Sequence, residues 1–175
     1  MNELIPYIFK KLESGITKKK APYKFGSLAS TFNNKPEQRM VVMRKIIDNK
    51  LYIYTDSRSP KITHFKNNEN ASLLFYDTES IEQLILKGFV KVEDANTDEI
   101  WKTVPDYAHR DYTTLNAPGT PLEKNTPEYS KDINHFCYLI FEFTTIDYLK
   151  IDKPNNKRTK LILNNKQWVS TSITP

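Results

Sequence analysis

The sequence predicts an antiparallel β-barrel with only short helices, and three observations carry that prediction. Strand-like segments recur along the chain and are joined by hairpin turn signals. The connections are too short for the repeated crossover helices that a parallel sheet requires. With 175 residues and 38% hydrophobic content, the chain suits one domain, 1–175, with a real core, and it is too apolar to stay disordered.

The elements follow from local chemistry. "PYIFKKLESG" reads as a short helix, with Pro6 suited to a first turn and Gly15 to a stop. "FGSLASTF" is a strand that ends at the turn "NNKPEQ", and "RMVVMRKII" is the next strand. Asp48-Asn49 is a tight turn, and "LYIYTD" returns as a third strand. "PKITHFKNN" is a short helix with Ile62 and Phe65 on one face. "ASLLFYD" is a buried strand. "IEQLILKGFVKVED" is a long alternating one, with Leu84, Leu86, Val90 and Val92 opposite Gln83, Lys87 and Lys91. "TDEIWKTV" is helical with Thr97 as N-cap. "PDYAHRDYTTLNAPGTP" is irregular or briefly helical, and "FCYLIFEFTTIDYLKI" and "RTKLILNNKQWVSTSI" close the chain as strands.

Composition excludes several function classes. No apolar run approaches the ~18 residues of a bilayer span. Glu3, Pro6 and Lys10 interrupt the stretch that a secretory signal would need, so a soluble, cytoplasmic protein is expected, with no membrane partner. Cys137 is the only cysteine, which rules out an intrachain disulfide, and its strand context suits a buried, inert thiol. The net charge of +5 fits nucleic acid, a phosphorylated ligand or neither. The run Lys18-Lys19-Lys20 reads as a solvated loop, and no nucleic-acid partner is expected. His64 reads as a surface residue, and His109 and His135 lack metal-ligand spacing, so no metal site is expected. Asp77, Glu79 and Glu82 read as a solvated hairpin. Trp101, Tyr107 and Tyr112 fit either a pocket edge or a subunit contact.

With four glycines and no GxGxxG or Walker-type loop, a phosphate would have to be held by side chains and a helix N-terminus. "YTDSRSPK", residues 54 to 61, has that character. Pro60 suits the first helical position, which makes Ser59 the N-cap. Arg58 can offer a planar fork of donors, Lys61 a point charge, and Thr55 and Ser59 hydroxyls. An ordinary capped helix with two solvated cations fits the residues equally well. "RMVVMR" adds Arg39 and Arg44, whose separation of five sends them to opposite faces of a regular strand. Both meet one ligand only if that ligand is long or the strand bulges.

The order "RMVVMR … YTDSRSPK … FKNNENASLLFYD … EQLILKG" resembles the pyridoxamine 5'-phosphate oxidase family and its FMN-binding relatives, over residues 25 to 92. A looser likeness continues through "WKTVPDYAHRDY", "APGTP" and the closing strands. The resemblance implies an FMN-binding split barrel of antiparallel Greek-key type, with FMN at a homodimer interface. It implies that Arg39, Val41 and Arg44 lie along the flavin, that Tyr54 and Thr55 meet the cofactor, and that Arg58, Ser59 and Lys61 hold its phosphate. Gln83 would reach the flavin end from the other subunit. The expected function is an FMN-dependent oxidoreductase on an unidentified small substrate, the alternative a non-catalytic flavin- or ligand-binding protein. Departures from the family pattern argue against pyridoxamine phosphate oxidation itself. Ile100, Val104 and Ala108 align where that activity supplies phosphate donors, and "KRTKLIL" replaces an R-L-H-D-R motif, with Arg158 and Lys160 as partial echoes.

Overall fold

The computed structural model describes residues 3–122 and 125–175. Three strands, β1 (Phe25–Phe32), β2 (Lys35–Ile47) and β3 (Lys50–Asp56), form an antiparallel meander. Asn33 and Asn34, both at positive φ, make the first turn, which is the left-handed pair a tight hairpin needs. Strand β2 therefore begins at Lys35, earlier than the sequence suggested, and only "NN" of "NNKPEQ" is turn. Strand β4 (Asn70–Asp77) returns beside β1, which gives the spatial order β3-β2-β1-β4 of a Greek key.

Strand β5 (Glu82–Glu93) pairs with β4, and the 15-residue β6 (Phe136–Lys150) runs along β5. The first half of β6 also pairs with β3, from Lys50↔Glu142 to Asp56↔Phe136, and this closes a barrel. Its second half carries the hairpin β7 (Lys157–Asn164) and β8 (Gln167–Ile173). The expected alternation of β5 holds, with Leu84, Leu86 and Val90 fully buried. Gly88 sits where the β5–β6 register slips, and a Cβ there would overlap the Glu142 carbonyl oxygen.

Helix α1 (Leu4–Thr17) buries Ile8 and Leu12 in the barrel core. It runs through Gly15 instead of stopping there. The glycine is needed for contact, because a Cβ would overlap the Tyr23 carbonyl. Helix α2 (Pro60–Asn67) buries Ile62 and Phe65 as its spacing predicted. Two short helices, α3 (Thr97–Trp101) and α4 (Asp106–His109), form a second apolar layer with Phe136 and Tyr138 of β6 and Tyr52 and Tyr54 of β3. Asn96 in a left-handed conformation, not Thr97, precedes α3. Cys137 is buried, and burial pushes its thiol up to about 11. Among the described residues, no helix is long and apolar enough to cross a membrane.

The acidic hairpin corrects a sequence reading. Asp77 and Glu82 are buried, because they continue the inward-facing rows Leu73–Phe75 and Leu84–Leu86. Lys11 of α1 supplies their counter-charge: its Nζ donates to Asp77 Oδ2 at 2.7 Å, to Ser80 Oγ at 3.0 Å and to Glu82. The Tyr7 hydroxyl donates to Glu82 at 2.7 Å, and Lys150 lies 3.4 Å from it. Burial opposes ionisation of both carboxyls, but these donors outweigh it and hold both below the usual carboxylate range. Folded-state pKa values below the unfolded ones mean that this stabilisation is present above about pH 4 and fades as pH falls through the folded values. Lys11→Met should cost about 2–3 kcal/mol at pH 7, less than the ~3–5 of a fully buried pair because Lys11 is a fifth exposed and Lys150 remains. In urea melts the wild-type and variant stabilities should begin to converge below about pH 4. A constant gap down to pH 2 would contradict the assignment.

Candidate functional site

A cavity of about 290 Å³ opens between β2, β3, the start of α2 and the segment after α4. Six of the nine candidate residues line it: Val41, Arg44, Tyr54, Thr55, Ser59 and Lys61. They converge because β3 ends at Asp56 and α2 starts at Pro60, so the strand end and the helix start share one corner. Met40, Val42, Ile53, Asp56, Asp111, Tyr112 and Pro118 complete the walls.

One end of this cavity is built from donors. Lys61 Nζ donates to Thr55 Oγ1 at 3.0 Å and to Ser59 Oγ at 2.6 Å. Both hydroxyl oxygens thereby act as acceptors, which leaves their own O–H groups and the third ammonium N–H to point elsewhere. Ser59 occupies the N-cap position with extended backbone, but its side chain makes no capping bond. The helix N-terminus adds little beyond this. Pro60 has no N–H, and the Ile62 amide donates to the Ser59 carbonyl at 2.9 Å. Lys61 is held below the ordinary lysine range, first by burial and then by the charge of Arg39.

Arg39 does not line the cavity wall. It faces the barrel interior opposite Leu28, where Nη1 donates to Ser30 Oγ at 2.7 Å and to the Leu28 carbonyl at 3.3 Å. Its Nη2 lies 3.4 Å from His64 Nδ1, which also lies 3.1 Å from Ser30 Oγ. His64 is buried and stacked on Phe32, with ring centroids 4.8 Å apart, so the surface reading of this residue does not hold. Burial and the Arg39 charge lower its pKa, which keeps the ring neutral. Ser30 and His64 were both legible in part. Ser30 is the polar member of the inward row Gly26–Leu28–Ser30, and His64 shares a helix face with Lys61 and Phe65.

At the opposite end, Arg44 sits at a bulge where the β2–β3 register slips between Met43 and Lys45. Its guanidinium lies 5.7 Å from the Tyr54 ring centroid, and its charge acts on Tyr112, whose hydroxyl is pushed up chiefly by burial. Tyr112 and Trp101 pack on Phe136, while Tyr107 is exposed and takes no part in the cavity.

Arg58 and Gln83 lie outside the cavity. The Arg58 Nε donates to Asp56 Oδ1 at 3.1 Å and Nη2 to Asp56 Oδ2 at 2.7 Å. Nη2 also reaches the Thr114 carbonyl at 2.8 Å, and Nη1 the Leu115 carbonyl at 3.0 Å. The fork expected to face a phosphate is thus committed inside the protein. Gln83 projects from the outer face of β5, beside Tyr76 and Leu149 in register. Val104 and Ala108 are buried in the α3–α4 layer with Ile100 packed against them, so none of the three offers a polar group to a ligand. Arg158 is paired to Asp147 by two bonds of 3.0 and 2.9 Å. His109 stacks on Trp101, with centroids 4.0 Å apart.

Comparison with known proteins places the fold in a family. Residues 5–94 match the family described as "Pyridoxamine 5'-phosphate oxidase, FMN-binding domain". The chain is 25% identical over 164 residues to the pyridoxine/pyridoxamine 5'-phosphate oxidase 2 of Arabidopsis thaliana, with 82% of each chain covered. Among solved structures, a pyridoxamine 5'-phosphate oxidase-related, FMN-binding protein from Nostoc punctiforme superposes with a TM-score of 0.79 at 22% identity, covering 100% of this chain and 99% of that one. PhzG from Burkholderia lata, solved with tetrahydrophenazine-1-carboxylic acid, superposes with a TM-score of 0.76 at 15% identity, covering 99% and 91%. The family match covers just over half of the 175 residues, and the fold is shared along the whole chain. The chain therefore has the split-barrel fold and belongs to the family described as "Pyridoxamine 5'-phosphate oxidase, FMN-binding domain".

Proposed function

We propose that the chain binds FMN and serves as an FMN-dependent oxidoreductase acting on a small substrate. The observation that carries this reading is the donor-rich corner at Lys61, where the one nearby carboxylate lining the cavity, Asp56, is already paired with Arg58. Two cations, Lys61 and Arg39, are partly desolvated near each other, and among the described residues neither has a carboxylate within ion-pair distance. Placing like charges together without a counter-charge costs stability, and a bound phosphate dianion would supply the missing charge. Thr55 and Ser59 add hydroxyl donors to the same corner, so the donor set fits a phosphate. Bound FMN would supply the hydride chemistry. The chain's own residues anchor and orient it: Lys61, Thr55 and Ser59 at the phosphate, with Arg39 behind them. Val41 and Tyr54 form the cavity floor between the two ends. Arg44 fixes a positive charge at the far end, which favours a ligand that gains negative charge there.

The reading extends to a homodimer that shares the flavin. A cavity of about 290 Å³ is at the low end for a small-molecule site, so it holds only part of a cofactor the size of FMN. Met40, which lines the cavity, also opens an outward sheet face with Phe25 and Tyr76, which are 64%, 53% and 52% exposed in that order. Exposed apolar patches of this kind mark subunit contacts. Gln83 lies on the same face, where a second copy would bring it toward the flavin.

Four measurements test the proposal. Lys61→Met should weaken FMN at least tenfold, as loss of a charge-assisted bond worth about 1.5–3 kcal/mol implies, and leave riboflavin nearly unchanged. The wild-type preference for FMN should also decline as pH rises through the lowered Lys61 pKa, earlier than for an ordinary lysine near ~10.4. Equal losses for both flavins would contradict a phosphate role. Light scattering of FMN-loaded protein should give twice the 20.5 kDa chain mass, and a loaded monomer would exclude the shared site. Pyridoxal 5'-phosphate formation from pyridoxamine 5'-phosphate should fall well below ~1–10 per second, because Ile100, Val104 and Ala108 supply no second phosphate site. Turnover in that range would show that other residues supply it.

A further inference from the structure

Arg58 has five guanidinium N–H donors, and the structure spends five hydrogen bonds on internal acceptors. Its primary partner is Asp56, which is 4% exposed and ends β3. The Asp56 carboxylate also accepts the Arg58 backbone N–H at 2.8 Å, so the side chain is locked against its own turn. From that fixed base the fork reaches across to a different part of the chain. It takes the Thr114 and Leu115 carbonyls at 2.8 and 3.0 Å, with Thr114 Oγ1 at 3.2 Å. The segment it grips is otherwise held mainly by other loop backbone. Leu115 N donates to the Glu128 carbonyl, Ser130 N to the Thr113 carbonyl and His135 N to the Tyr112 carbonyl.

This segment is also the outer wall of the candidate site. Asp111, Tyr112 and Pro118 line the cavity on the side facing β2 and β3. Tyr112 and Arg44 line the same cavity, at the end remote from Lys61. The chain of contacts runs from Asp56 through Arg58 to Thr114 and Leu115, and so to the wall. Only a planar fork can bridge a carboxylate and two carbonyls at once. A lysine keeps the charge, but its three donors radiate from a single nitrogen and cannot reproduce the bidentate grip on Asp56 together with the two carbonyls.

We infer that Arg58 is a positioning residue: with Asp56 it latches the 112–118 segment against the barrel and so shapes the flavin pocket, without touching the phosphate. The inference rests on the FMN reading of the cavity for its effect on binding, but the latch itself is a property of the ligand-free chain. It separates two roles within "RSPK". Lys61 recognises charge on the ligand, whereas Arg58 fixes the wall that meets the rest of it.

The test compares FMN and riboflavin affinities, by quenching of flavin fluorescence, for the wild type, Arg58→Gln and Arg58→Lys. Backbone hydrogen exchange across residues 112–118 is measured on the same proteins without flavin. The latch predicts that both variants weaken both flavins by the same factor, about tenfold, as loss of the fork's bonds would give. It also predicts faster exchange at 112–118 in both, because Arg58→Lys keeps the charge but loses the bridge. Arg58→Lys is also the milder change and guards against simple misfolding. Loss confined to FMN and restored by Arg58→Lys would overturn the proposal and make Arg58 a phosphate contact. Unchanged exchange at 112–118, or unchanged affinity for both flavins, would overturn it too. If the wild type binds no flavin, the FMN reading fails, and the exchange result alone then decides the latch.

Discussion

The pairing of one strand with three neighbours underlies the architecture. Strand β6 hydrogen-bonds to β5 along its length, to β3 with its first half and to β7 with its second. Without the β3 contact the sheet would stay open, with free edges of the kind that invite aggregation. With it, the sheet closes, and the end of β3 is pinned where Thr55 faces Cys137 and Asp56 faces Phe136. That fixed strand end lets a two-residue step between Asp56 and Ser59 deliver hydroxyls, a lysine and a helix start to one corner. The slip in register at Gly88 gives β6 the freedom to serve both partners, and only glycine fits there.

Two buried cationic clusters show how the same chemistry serves different ends. Lys11 meets Asp77 and Glu82 directly, and the resulting network fastens α1 to the β4–β5 hairpin. Among the described residues, Lys61 bonds to hydroxyls, with Arg39 nearby and no carboxylate bonded to either. A closed network stabilises the fold. An open one holds charge that the fold does not neutralise, and such an arrangement is characteristic of a site that awaits an anion. His64 fits this view. Kept neutral by burial and by Arg39, it accepts or shares a hydrogen bond without adding a third charge.

Much of the barrel was legible because strand periodicity and turn residues are local. Phe25–Phe32 was read from the sequence with its observed bounds, and Asp48 turns the chain where expected. Helix α2 and its buried pair Ile62 and Phe65 followed from spacing. What failed were features set by partners distant in sequence. Asp77 and Glu82 have inward parity in their strands, but their burial makes sense only with Lys11 beneath them, some 66 residues away. Gly15 reads as a helix stop until the Tyr23 carbonyl occupies the space of its side chain. Arg58 reads as a ligand fork until Thr114 and Leu115 are seen to take its donors. Lys61, Ser59 and Thr55 were legible as a set because their partners lie within six residues of one another.

The central claim is that Lys61, Thr55 and Ser59 hold the FMN phosphate as a dianion. Phosphorus NMR of the FMN–protein complex, followed from about pH 5 to pH 8, reads the protonation state of that phosphate directly. Free phosphate monoesters titrate near ~6, and surrounding cationic and hydroxyl donors favour the charged form and lower that value. The account predicts a bound signal that stays at the dianion position across the range. A bound phosphate that titrates as it does in free solution would contradict it.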